Sequence, residues 1–178
     1  TGYLLNENTY NIEIVDDGTV NIEITNDNVN IDVEIEKKGF IETQSKDNIF
    51  YNFSNIKNNS NVPLDNFTWR DKLPTEAVRI DKIYTGTWNE DLEYAVYYKT
   101  NKSDEYVLFK DKLNTQKIYE LNFNELKLAE DEYVTEYEFR FGTVKVGFQE
   151  VESPILYCNM LDGLGNGFVF TNHTKVSG

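Results

Sequence analysis

The chain has 178 residues, with 31 acidic and 17 basic side chains and a formal charge of −14. Such a field repels nucleic acid and anionic membrane, so neither is expected as a partner. One cysteine (Cys158) and one histidine (His173) exclude an internal disulfide framework and argue against a zinc cluster or a Ser-His-Asp triad.

Tyr (12) and Phe (11) are abundant and Val, Ile and Thr recur, which is β composition. In chain order, "YNIEI" (10–14) and "TVNIEIT" (19–25) alternate apolar and polar residues around an Asp-Gly tip, a hairpin signal. "VNIDVEIEK" (29–37) alternates again. Further strand signals follow at 48–54, 64–70, 77–84, 93–99, 105–109, 116–121, 132–141, 144–148, 153–160 and 167–176. Turn clusters such as "NIKNNSN", "KTNKSD" and "DGLGNG" separate them. "NELKLAEDE" (124–132) has room for one or two helical turns. This pattern predicts an all-β antiparallel sandwich. No apolar run of about 18 residues offers a membrane span. The chain opens at Thr1-Gly2 with no signal peptide or sorting motif, and reads as a piece of a longer protein.

Several familiar chemistries fail on inspection. "GLGNG" precedes a strand, whereas a phosphate cradle needs a helix N-terminus. "NDNVNID" lacks the glycine and closing glutamate of an EF-hand, and no metal or cofactor is expected. Cys158 sits in the apolar stretch "ILYCNML" and reads as a buried, inert thiol. Trp69 is in phase with Phe67 and reads as core. Trp88, after "YTGT", is the tryptophan better placed for exposure and for a sugar-binding face, although a core position is the favoured reading for it too.

Three strands carry a polar residue in phase with apolar ones. Lys37 follows Val33 and Ile35, Asp71 follows Phe67 and Trp69, and Asn172 lies between Phe170 and Val176 on a face shared with Phe168 and Thr174. Isolated, each is costly to bury. Together they suit one reaction. A desolvated lysine is held as the neutral amine, and a buried aspartic acid stays protonated and hydrogen-bonds the asparagine amide oxygen. The amine then attacks the amide carbon and ammonia leaves, joining the side chains by an isopeptide bond. Folding supplies the proximity. A buried Lys–Asp ion pair beside a hydrogen-bonded Asn is the plainer alternative. A slip of one residue would replace Lys37 by Lys38, and Glu136 or Glu138 is an alternative acid.

Lys37, "KDNIFYNF" (46–53), "NNSNVPLDNF" (58–67) and "DKLP" (71–74), with "FRFGTVKVGF" (139–148) and "FVFTNHTKVSG" (168–178), resemble the repeated Ig-like domains of wall-anchored surface proteins of Gram-positive bacteria. Residues 1–28 are similar to the last strands of a prealbumin-like (Cna B-type) stalk domain. The resemblance implies an Ig-like β-sandwich over 29–178, preceded by a β-hairpin (within 1–28) from the preceding domain. It implies a non-enzymatic stalk module of an extracellular, cell-wall-anchored adhesin or pilin-like protein, with neighbouring domains of the same protein as partners. Carried over residue by residue, it implies a Lys37–Asn172 crosslink with Asp71 as acid. A second reading is a binding module for host extracellular matrix protein or glycan, using Trp88 and loop tyrosines.

Overall fold

The computed structural model describes residues 14–15, 19–26, 29–41, 48–161 and 173–177. Alternating β-branched and aromatic residues build strands β1 (Ile14–Val15), β2 (Thr19–Asn26), β3 (Val29–Ile41), β4 (Asn48–Asn58), β5 (Leu64–Lys72), β6 (Val78–Tyr84) and β7 (Thr87–Trp88). They continue with β8 (Glu93–Thr100), β9 (Val107–Asn114), β10 (Glu120–Asn122), β11 (Val134–Val144), β12 (Glu150–Glu152), β13 (Ile155–Met160) and β14 (His173–Ser177). A single 3₁₀ turn, Phe123–Glu125, is all that forms where helical turns were expected; the Asn122 side chain caps it by accepting from the Asn124 N–H.

The fold is an all-β, Ig-like antiparallel sandwich. One sheet runs β1-β14-β5-β11-β8-β9 and the other β10-β6-β13-β4-β3-β2, with β7 and β12 forming a small third ladder. The sheets stack in matching order. Phe53 of β4 meets Trp69 of β5 at 4.7 Å between ring centroids. Tyr137 of β11 lies beside Cys158 of β13, and β1 touches β3. β14, between β1 and β5, lies on the same side of the sandwich as β3. The first long strands and the last strand therefore occupy the same side of the sandwich.

The core between the layers is aromatic. Phe53, Phe67, Trp69, Trp88, Tyr137, Phe139 and Phe148 are all essentially inaccessible. Each removes enough apolar surface to stabilise the fold by about 1.5–3 kcal/mol, and their tilted and edge-on contacts add to that. Where β6 passes into β7, Gly86 has φ +71°, and a Cβ there would meet the Glu152 carbonyl oxygen at 2.3 Å. Only glycine fits that approach.

Three details depart from the sequence reading. The N-terminal hairpin is formed by β2 and β3, which pair from Thr19↔Glu36 to Asn26↔Val29, whereas Ile14–Val15 joins the edge of the other sheet against β14. The strand signal at 144–148 is the end of β11 and a turn, with Gly147 at φ +82°. The strand expected at 105–109 begins at Val107, because Tyr106 folds onto the outer face of β5, β11 and β8 instead of entering a ladder.

Candidate crosslink site in the sandwich core

Asp71 continues the buried row of β5. Leu64, Phe67, Trp69 and Asp71 are 1% exposed or less. β5 is flanked by β14 on one side and β11 on the other. The ladders set Thr174 of β14 and Tyr137 of β11 directly across from Asp71, and both are fully buried. The next row inward is Val176, Trp69 and Phe139. An aspartate at this point is enclosed by an aromatic floor, a hydroxyl from the last strand and a phenol.

Burial pushes the Tyr137 phenol well above its ordinary range, and the charge of Asp71, a hydrogen bond to it and the nearby Cys158 push the same way. Trp69 donates its indole N–H to the Thr174 hydroxyl at 2.7 Å, and that hydroxyl donates to the Arg70 carbonyl at 3.2 Å. This buried pair fixes β14 against β5. A two-residue slip of β14 would keep its buried face but leave the indole donor unsatisfied.

Lys37 enters through the strand register. It stands opposite Phe53 in the β3–β4 ladder, and Lys38 stands opposite Asn52. Phe53 is fully buried and Asn52 only partly. Asn172 lies outside the described residues. Thr174 and Val176, which alternation groups with it, are buried at 0% and 1% exposure. The structure thus brings Asp71 together with the last strand and sets position 37 in register with a core residue.

The alternative acids occupy the other face of β11. Glu138 pairs with Arg70 and Glu136 with Lys72, one register step either side of the Tyr137–Asp71 pair. Glu138 is held by Arg70 at 2.8 Å and by Arg140 at 2.6 Å. Glu136 accepts from Lys99 at 2.9 Å and from the Tyr106 hydroxyl at 3.0 Å. Neither carboxylate shares the layer that holds Asp71.

Trp88 is not an exposed platform. It is 1% exposed, stacked on Phe148 at 5.3 Å with an 8° interplanar angle, and 4.7 Å from Phe141. The loop around "YTGT" is tied down by the β7–β12 ladder, and that packing draws the indole inward. Cys158 is a buried thiol outside any disulfide, 1% exposed. Among the described residues, no group of three or more His, Cys, Asp or Glu side chains could hold a metal ion. Within the acidic run 130–132, Glu132 instead accepts from Thr100 at 2.7 Å and from the Ala129 N–H at 3.1 Å, which closes the turn before β11. Among the described residues no helix is long and apolar enough to cross a membrane.

The chain matches no protein-family model, no curated protein and no solved structure.

Two residues of the site carry roles that sequence reading did not assign. Tyr137 was discernible as a hydroxyl in phase with Phe139 and Phe141. Thr174 was discernible as the in-phase neighbour of Asn172, but its partner Trp69 is 105 positions away and no local pattern links them.

Proposed function

We propose that this chain is a structural stalk module of a bacterial cell-surface adhesin, stapled by an autocatalytic isopeptide bond between Lys37 and Asn172. The observation that carries the reading is the complete burial of Asp71 against the last strand, with Thr174 on one side and Tyr137 on the other. A buried carboxyl group beside β14, on the side of the sandwich that also holds β3, supports a reaction between those two strands. The register of Lys37 opposite buried Phe53, and of Lys38 opposite Asn52, favours Lys37 as the amine.

In the reaction, the neutral ε-amine of Lys37 adds to the carboxamide carbon of Asn172 while Asp71 hydrogen-bonds the amide oxygen. The C–N bond to the amide nitrogen breaks, one amine proton passes to the departing NH2 group to give ammonia, and the other stays on the secondary amide that remains. Buried Trp69, Tyr137 and Phe139 exclude water around Asp71, the condition the reaction needs for a neutral amine and an amide safe from hydrolysis. The resemblance of residues 30–178 to wall-anchored Ig-like repeats supports an extracellular setting, where a protein with a single cysteine gains its covalent brace by this route.

Intact-mass measurement on the folded chain tests the proposal. The expected mass is the sequence value less one ammonia, with full mass restored in Lys37→Ala, Asn172→Ala and Asp71→Ala. A folded wild-type chain at the unmodified mass would overturn it.

A further inference from the structure

The outer face of the β5-β11-β8 sheet carries an array that the crosslink does not use. Arg70, Arg140 and Lys99 sit on three neighbouring strands about 4.8 Å apart. One buried carboxylate, Glu138, orders both guanidinium groups: Arg70 donates to it from Nε at 2.8 Å and brings Nη2 to 2.8 Å as an ion pair, and Arg140 donates from Nε at 2.6 Å. Tyrosine rings lie against the cations. Arg140 lies 3.7 Å over the Tyr97 ring, while Arg70 and Lys99 lie 5.1 and 4.8 Å from the centre of Tyr106. Lys72 on β5 extends the row and is exposed. Within this array the four cations outnumber the two carboxylates, Glu136 and Glu138, on a chain whose formal charge is −14.

We infer that this face binds a sulfated polysaccharide, with Arg70, Arg140, Lys99 and Lys72 as its contacts. The Arg70 and Arg140 side chains remain 37% and 42% exposed after Glu138 is satisfied, so N–H groups stay available for sulfate or carboxylate oxygens. The cations are spread across strands, not gathered around one point, which suits a linear polyanion lying over the sheet. Both tyrosine rings are already capped by cations, leaving no stacking platform for the bases of a single-stranded nucleic acid. A second copy docking by two-fold symmetry through this face would set like charges against each other. The inference does not depend on whether the crosslink forms.

Retention of the full chain on immobilised heparin, followed as sodium chloride is raised, tests it. The wild type is expected to bind at low salt despite its acidity, and to elute as salt increases. Lys72→Glu, a change at an exposed position, should weaken binding about tenfold and lower the slope of log affinity on log salt by about one to two. The triple variant Arg70→Gln/Glu138→Gln/Arg140→Gln removes the array without leaving a buried lone charge and should abolish retention, with circular dichroism confirming the fold. Wild-type flow-through at low salt would overturn the inference, as would equal retention of all three proteins. Salt-sensitive self-association without heparin retention, lost in the same variants, would assign the face to a second copy instead.

Discussion

Thr174 illustrates how much a single hydroxyl does in this core. It accepts the indole N–H of Trp69 and stands opposite Asp71, so one side chain fixes the register of the last strand and helps enclose the buried acid. Thr174→Val keeps the volume and removes the acceptor. The indole N–H is then buried without a partner, at a cost of about 1–3 kcal/mol. Thr174→Ser, which keeps the oxygen, is expected to lose less. The urea midpoints of the three proteins check the order. At this scale legibility depends on sequence distance. Asp71 could be picked out because it continues the phase of Phe67 and Trp69 two residues at a time, whereas the Trp69–Thr174 bond joins strands that are far apart in the chain.

β11 shows the same division along a whole element. Tyr137, Phe139 and Phe141 face the core, and Glu136, Glu138 and Arg140 face outward. Alternation made that division readable, but it could not say which of three acids shared a layer with the crosslink strands until β5 and β11 were paired. The core position favoured for Trp88 holds, but its inward packing comes from the β7–β12 ladder and Phe148, and not from any periodicity in "YTGTW". On the outer face, burial alone would raise the Glu136 carboxyl. The hydrogen bonds from Lys99 and Tyr106, with the charges of Lys99 and Arg70, outweigh it and hold the carboxyl below its usual range. A carboxylate depressed in the folded state stabilises the protein above its unfolded pKa, near about 4.3, and that contribution disappears as pH falls through the lower folded value. Glu136→Gln should therefore melt below the wild type at neutral pH, with the gap closing in acid. Melting curves at about pH 7 and about pH 3 measure it.

For the molecule as a whole, the proposed stalk role turns on where load enters and leaves. The composition and the succession of short alternating strands were enough to read a two-layer antiparallel sandwich. That β14 and β3 lie on the same side of the sandwich was not readable, because it depends on the order of strands in two separate sheets. That placement gives the proposed bond its mechanical meaning. A link from Lys37 to Asn172 encloses about 135 residues, which by the chain-entropy model for crosslinks contributes roughly 5 kcal/mol. Under tension its effect is larger than its equilibrium share. Force applied at the two ends passes from β3 directly to β14 through a covalent bond, and strands β4 to β13 carry none of it. Pulling single molecules by their termini distinguishes the two cases. The crosslinked chain should show no unfolding step for the enclosed segment. Asn172→Ala, with the bond absent, should extend by a contour length of about 135 residues at roughly 3.5 Å each, close to 470 Å. A wild-type chain that releases the same length as the variant would mean that the strands themselves bear the load.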